Sequence, residues 1–271
     1  MTLGHPAPSI VGMGARDLRD LRAFPWLVGL LLFSATEARA QARDVVVSQA
    51  IAALGGAEHL RASQTRITVG KISFDGGGAN PFTVEQKRPN RLHMEIFFPT
   101  GVLVRGYDGT MGWQASPFAE SKDAVALSPE DTRNIAEEAE FDDPLLDWKA
   151  RGSQVVLLGQ DSVDGRSTDR VRVTARSGLV QELLLDSITH LRARWEGARQ
   201  ANGKEIVFVS SFKDYRVVGG IQFPFRISSE AKGNENRQEI VITRVELNTP
   251  IADARFALPK PAAKPAGRSE P

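Results

Sequence analysis

The sequence predicts a mainly β fold, an incomplete antiparallel β-barrel of about eleven strands with helices covering its concave face. Three observations lead to this prediction. Apolar and polar residues alternate with a period of two over many short segments, Asp-Gly and Gly-Gly pairs separate those segments, and only two stretches show helical spacing. A sheet of that many antiparallel strands curls or closes, and its apolar concave face then needs a cover.

The alternation is clearest in residues 91–98 and 221–227. Apolar side chains occupy every second position in both segments, whereas His93 lies on the opposite face of its segment and is expected to face solvent. The two apolar faces are expected to point into one shared interior. Further strands are expected near residues 64–74, 81–88, 102–107, 110–115, 153–159, 168–176, 179–186, 190–197, 205–216 and 237–247.

Two stretches have helical spacing. Residues 44–61 form the first, which Gly55 and Gly56 are expected to interrupt. The second is an insert at residues 128–149, where Ser128 is a good N-cap followed by proline and two acids. A second short helix is expected in this insert from residue 141, carrying Leu145, Leu146 and Trp148. The insert is the predicted lid over the concave face.

Residues 1–40 have the form of a signal peptide. Arg16, Arg19 and Arg22 precede an apolar run of about 12 residues, and Ala38 and Ala40 form a small-x-small cleavage site. An uncleaved anchor is the alternative, although the run is short of the ~20 residues that span a bilayer. The start is Met1 or Met13. The mature chain would begin at Gln41, fold as one domain over residues 41–259, and end in a disordered, Pro-, Ala- and Lys-rich tail at residues 260–271.

The composition excludes several function classes. The chain has no cysteine, which removes disulfides, thiolate metal sites and cysteine nucleophiles. Its 34 basic and 33 acidic residues give a net charge of +1, so no broad attraction to nucleic acid is expected. No nucleophile elbow, phosphate loop or dinucleotide fingerprint is present, and no catalytic residue, metal site or cofactor is predicted. The acidic run at residues 137–143 is a solvated helix face or, alternatively, a cation site.

Several segments, taken in order, resemble the LolA-like and LolB-like superfamily of periplasmic lipoprotein carriers. Residues 107–114 read Tyr-Asp-Gly-Thr-Met-Gly-Trp-Gln, residues 212–216 read Phe-Lys-Asp-Tyr-Arg, and residues 220–224 read Gly-Ile-Gln-Phe-Pro. Residues 158–166, 171–173, 185–186 and 256–259 fit as well. The resemblance covers most of residues 44–259. It implies a half-barrel whose helices close a hydrophobic cavity for acyl chains, and it supplies no catalytic residue.

The sequence therefore predicts a non-enzymatic, monomeric carrier or binder of lipid or lipidated protein in the periplasm, where membrane proteins of the envelope would be its partners. The alternatives are an envelope interaction module with a fully packed core, and a hydrolase with unusual residues. The cavity candidates are Leu92, Met94, Ile96, Phe98, Trp113, Leu145, Trp148, Ile221, Phe223 and Phe225.

Overall fold

The computed structural model describes residues 25–201, 203–233 and 237–260, with side chains from residue 37 onward except that of residue 201. The chain divides into two compact units, residues 1–42 and 43–271. The first 24 residues of the predicted signal peptide and nearly all of the predicted tail lie outside the described residues. Within the described part, no helix combines the length and apolar character needed to cross a membrane.

The described residues contain three α-helices: α1 at Pro25–Ala53, α2 at Ala57–Ala62 and α3 at Pro129–Glu138. The predicted interruption after α1 is confirmed. Gly55 and Gly56 have φ angles of 118° and 88°, which glycine adopts without the steric cost that a Cβ would impose. A Cβ at Gly55 would lie only 2.0 Å from the carbonyl oxygen of Gly220, so the chain between α1 and α2 packs directly on a strand turn.

Thirteen strands form one antiparallel sheet in the described residues. They are β1 Thr65–Phe74, β2 Asn80–Lys87, β3 Arg91–Phe98, β4 Gly101–Tyr107, β5 Gly112–Ala115, β6 Val125–Ala126, β7 Gln154–Val163, β8 Arg166–Thr174, β9 Val180–Asp186, β10 Arg192–Ala201, β11 Lys204–Val218, β12 Ile221–Ala231 and β13 Arg237–Leu247. The strand order is β6-β5-β4-β3-β2-β1-β13-β12-β11-β10-β9-β8-β7. Pairing of β1 with β13 joins the two halves, and the edge strands β6 and β7 leave the sheet open. The predicted incomplete barrel is confirmed, and of the thirteen strands only β6 lies outside the twelve predicted segments.

One face of the sheet, called the inner face here, carries the alternating apolar residues. Ile96 of β3 and Phe225 of β12 belong to one buried cluster, and Met94, Phe98 and Phe223 pack against it. The prediction that the two segments share an interior is thus confirmed for these residues, although Met94 and Phe223 are only half-buried. A second cluster on β7–β9 packs Val155, Val171, Val173, Leu183 and Leu185 against Val47 and Ala50 of α1 and against Leu145.

Two local predictions are wrong. The chain after α3 makes consecutive turns around Leu145, Leu146 and Trp148 and forms no second helix. Leu145 and Leu146 are nevertheless buried, because the turns press these two side chains inward. His93 does not face solvent: it is only 3% exposed. Alternation placed it on the outer face correctly, but Trp113 and the C-terminal segment with Arg255 cover that face.

Candidate functional site

A cavity of about 580 Å³ lies between the inner face and the insert. This volume falls within the ~300–1,000 Å³ of typical small-molecule sites. The walls come from the end of α1, from α2, from residues 133–153, and from the inner face of strands β1 and β8–β12. The apolar lining residues include Leu54, Leu60, Phe141, Leu145, Leu185, Trp195, Phe212, Ile221 and Phe223.

The helical part of the insert is positioned by its sequence. Ser128 Oγ accepts a hydrogen bond from the backbone N–H of Asp131 at 3.1 Å, which caps α3. Ile135 and Ala139 follow at i and i+4 on one face of the helix and are fully buried against Leu92 and Tyr107. This contact fixes α3 on the sheet and leaves the following turns to cover the cavity.

Polar contacts hold those turns in place, with Arg88 at their centre. Its guanidinium donates to the carbonyl oxygens of Leu60 at 2.7 Å and Ser63 at 2.6 Å, and to Asp142 Oδ2 at 2.5 Å. One side chain therefore connects α2, the sheet and the insert. Arg61 pairs with Asp147 at 2.6 Å and Arg192 pairs with Asp143. We call these three arginine–aspartate pairs the latch.

The acidic run of the insert is accounted for by these and similar pairs. Glu138 forms ion pairs with Arg105 at 3.2 Å and with Arg199 at 2.6 Å, and Glu140 forms an ion pair with Arg151 at 2.5 Å. In the described part of the chain, no three His, Cys, Asp or Glu side chains are grouped as metal ligands would be. The acids of residues 137–143 thus serve mainly as partners of arginines from the sheet and the insert.

Arg66 on β1 is the exception among the arginines that line the cavity from the sheet. Its Nε and Nη2 both donate to Gln86 Oε1, at 3.0 and 2.5 Å, and its guanidinium lies 5.1 Å from the Phe141 ring centroid and 5.7 Å from that of Phe223. Burial lowers the pKa of Arg66 to about 10; the nearby Asp142 raises this pKa and Arg88 lowers it. A half-buried cation therefore has only a neutral amide as its hydrogen-bond partner among the described residues.

Other polar groups also reach the cavity. Burial raises the pKa of Tyr215 to about 12, and its hydroxyl donates to the carbonyl oxygen of Arg192 at 2.8 Å. Ser63 Oγ, Arg192 Nε and Gln222 Oε1 are buried and have no hydrogen-bond partner among the described residues. All three residues line the cavity. Unpartnered buried polar atoms are rare in folded proteins, so their meeting at one cavity sets this region apart.

The structure brings three of the ten predicted site residues to the cavity: Leu145, Ile221 and Phe223. Met94, Ile96, Phe98 and Phe225 lie in or against the neighbouring inner-face cluster, and Leu92 lies beneath α3. Trp148 packs at the margin of the β7–β9 cluster, with Arg43 and Lys149 about 5 Å from its ring. Trp113 lies on the outer face against His93.

Sequence reasoning missed Arg66 and Arg88. Both stand in strand-like segments where arginine is ordinary on a solvated face. A signal for Arg66 was available, because it is in phase with the apolar positions Ile72 and Phe74 of the same strand. No comparable local pattern marks Arg88, whose side-chain partners come from two separate parts of the chain, residues 60–63 and Asp142.

Comparisons with known proteins agree with this geometry. No family model matches the sequence, and no curated protein matches it. Among solved structures, a DUF1329 family protein from Desulfovibrio piger is similar over 79% of this chain and 97% of its own, with a TM-score of 0.55 and 14% identity. An outer membrane lipoprotein-sorting protein domain from Vibrio parahaemolyticus is similar over 80% of this chain and 97% of its own, with a TM-score of 0.53 and 10% identity.

The chain shares the fold of these two solved structures. The resemblance drawn from residues 107–114, 212–216 and 220–224 is thereby confirmed at the level of the fold. At 10–14% identity the similarity concerns the path of the chain alone. The shared fold supplies the inner face of the sheet, and the residues that line the cavity are this chain's own.

Proposed function

We propose that this protein is a non-enzymatic carrier that binds the acyl chain of a lipid or lipidated protein in the cavity beneath the insert. The observation that carries the proposal is a space of about 580 Å³ with a partly apolar wall, under a cover held by polar contacts. The leucine, phenylalanine and isoleucine side chains of that wall favour hydrocarbon over water. The ion pairs of the cover can be exchanged for contacts with water when the cover opens.

The energetics of acyl burial suit this cavity. Burial contributes about 0.8 kcal/mol per methylene, so ten methylenes give roughly 8 kcal/mol before the costs of association. Association costs of about 4 kcal/mol or more are subtracted from this gross value, so each further methylene that the cavity buries strengthens binding. Release then depends on opening the cover, because affinity of this kind is expressed mainly in a slow dissociation rate.

The place of action in this proposal is the cell envelope. Cleavage after Ala40 would release a mature chain from Gln41 into the periplasm, where membrane proteins of the envelope would be its donors and acceptors. The description of the Vibrio parahaemolyticus domain as lipoprotein-sorting supports a lipid or lipidated cargo. A monomer suffices for this role, because the described cavity is formed by one chain.

A cavity-filling variant tests the proposal. Ala136 lines the cavity from α3, and Ala136→Trp would place an indole where the chain of the ligand should lie. We expect this variant to bind a fluorescent fatty-acyl probe at least about tenfold more weakly than wild type, since filled volume excludes the chain. The matched control is Ala150→Trp, an exposed position in the same insert, which should leave binding unchanged.

Circular dichroism and thermal melting establish that both variants are folded. Folded wild-type protein that binds no probe would overturn the proposal and favour an interaction module without a ligand. Equal binding by wild type and a folded Ala136→Trp variant would show that the probe binds outside this cavity, which also contradicts the proposal.

A further inference from the structure

Arg66 stands apart from the other arginines that line the cavity from the sheet. Arg192 and Arg199 each pair with a carboxylate. Among the described residues, no carboxylate oxygen lies within 4.0 Å of the Arg66 guanidinium, although Asp142, which pairs with Arg88, is near enough to raise the pKa of Arg66. A half-buried cation without an ion-pair partner has lost part of its hydration, and an anion that enters the cavity would compensate for that loss.

The surroundings of the guanidinium leave one edge available. Its Nε and Nη2 are turned towards Gln86 Oε1, and the rings of Phe141 and Phe223 lie within 5.1 and 5.7 Å. Gln86 is itself held by a hydrogen bond from Nε2 to the carbonyl oxygen of Glu138 at 3.2 Å, so this arrangement is supported from behind. The Nη1 and Nη2 end of the planar fork keeps two roughly parallel N–H donors, the geometry that matches two oxygens of one anion.

The apolar wall and the Arg66 guanidinium belong to the same cavity. Phe223 contributes to the wall and also lies beside the guanidinium, so a chain packed against this ring would bring its head group close to Arg66. Ser63 Oγ, on the same cavity wall, is a buried hydroxyl without a partner and can donate to a further oxygen. A ligand that satisfies these groups has an apolar chain and a compact, oxygen-rich anionic head.

We propose that Arg66 is the head-group site of this cavity and that the cargo is an anionic amphiphile, with a carboxylate or phosphate on a single apolar chain. The inference rests on the proposed function and sharpens it, because a carrier selective for neutral acyl esters or amides would have no use for an unpaired guanidinium. The lowered pKa of Arg66 is consistent with this role, and a bound anion would raise it again.

The test compares ligands that differ only in charge. Purified full-length protein at pH 8 is titrated with a long-chain fatty acid, the alkyl phosphate of equal chain length and the methyl ester of the acid, each displacing a fluorescent acyl probe. Wild type should bind at least one anion about tenfold or more tightly than the ester, the scale of a charge-assisted hydrogen bond. Acetate and inorganic phosphate at the same concentration should displace no probe.

Substitutions of Arg66 test whether the preference for anions over the ester depends on this side chain. Arg66→Met should bind acid, phosphate and ester with nearly equal affinity, and Arg66→Gln, which keeps a polar partner for Gln86, should do the same if the methionine variant does not fold. Arg244→Met removes an exposed arginine of β13 that pairs with Glu246 and should retain the wild-type preference. Unchanged binding of the ester shows that the cavity of each variant is intact.

The outcomes separate the two proposals. Wild type that binds the ester as tightly as both anions would overturn the head-group site while the carrier function stands. A preference that survives in both Arg66 variants would overturn it as well, and displacement by acetate or inorganic phosphate alone would show a small-anion site in place of an amphiphile site. Absence of binding for every ligand would overturn both proposals.

Discussion

The two faces of the sheet are closed by distant parts of the chain in different ways. On the inner face, the insert and the latch enclose the cavity. On the outer face, His93, Trp113, Arg255 and Phe256 form what we call the outer cluster. There Trp113 Nε1–H donates to the carbonyl oxygen of Phe256 at 2.8 Å, and Arg255 contacts Glu85 at 2.5 Å and Glu95 at 2.9 Å. Trp113 and Phe256 are 2% and 0% exposed.

Both regions combine arginine–carboxylate pairs with aromatic rings, so neither feature distinguishes a binding site from a structural contact. The differences are the empty volume and the unpartnered polar atoms. The inner region has about 580 Å³ of space and three buried polar atoms without partners, whereas none of the orphaned buried atoms found in the described residues belongs to the outer cluster. We infer that the outer cluster provides stability and that the inner region gives up some stability for binding.

The largest effect on stability is expected from truncating the Trp113 side chain in the outer cluster. Trp113→Ala removes a fully buried indole and its hydrogen bond, which should lower the free energy of unfolding by about 3–5 kcal/mol. Urea denaturation measures this loss. The control Phe118→Ala, at a position 64% exposed, should change stability by less than about 0.5 kcal/mol. A loss below about 1 kcal/mol for Trp113→Ala would remove the contrast between the two regions.

A smaller effect is expected at the edge of the cavity, where the α1–α2 junction meets the β11–β12 turn. Gly55→Ala would force a Cβ against the Gly220 carbonyl at a φ of 118°, and should cost at least about 2 kcal/mol. Gly56→Ala is the matched control: its φ is 88° and no atom lies within 4 Å of the new Cβ, so roughly 1 kcal/mol is expected. Equal losses in thermal or urea unfolding would show that this edge is not closely packed.

Weakening the latch should affect exchange of the ligand more than stability. Asp142→Asn replaces the charged acceptor of Arg88, and a loss of about 1.4 kcal/mol from the closed state would make release of an acyl probe roughly tenfold faster. Stopped-flow dissociation measures the rate. Asp164→Asn, which alters an exposed pair with Lys213, should leave the rate unchanged. Identical release rates in the two variants would exclude the latch as the element that controls opening.

The smallest effect expected is on the pH dependence of stability, through His93 of the outer cluster. Burial and the nearby Arg255 lower the pKa of His93, while Glu95 and Glu85 raise it in part. The folded protein therefore binds this proton less readily than the unfolded chain, so the contribution of His93 to stability is complete above about pH 6.5 and declines as the pH falls below that value. The drop in unfolding free energy between pH 7.5 and 5.5 should be smaller in His93→Gln. A drop of equal size in both proteins would contradict this assignment.

The sequence predicted most of the sheet because period-two alternation is a local property. The bounds of β3 and β13 match the predicted segments 91–98 and 237–247, and the glycine pair after α1 and the Ser128 cap stand where the turn and capping rules place them. The two-residue strand β6 was missed, since a pair of residues carries no periodicity. A second helix after residue 141 was predicted from its acids and apolar residues, but the structure has turns there.

The candidate site was predictable only in its apolar part. Leu145, Ile221 and Phe223 could be found because their apolar side chains alternate or cluster in the sequence. The burial of His93 and the contacts of Arg66 and Arg88 depend on segments more than 50 residues away, namely Arg255 for His93, Phe141 for Arg66 and Asp142 for Arg88. Which polar residue on a strand becomes buried is decided by what packs over it, and local pattern does not contain that information.

Native mass spectrometry of wild-type protein, purified under gentle conditions from the envelope of its own cells, tests the central claim most directly. We expect a population that carries one additional mass, which disappears on denaturation and is identified as an amphiphile with an acyl chain. The bound population should fall sharply in the Ala136→Trp variant and persist in Ala150→Trp. A folded wild-type protein that shows only its own mass, and that takes up no acyl probe when one is added, would contradict the account.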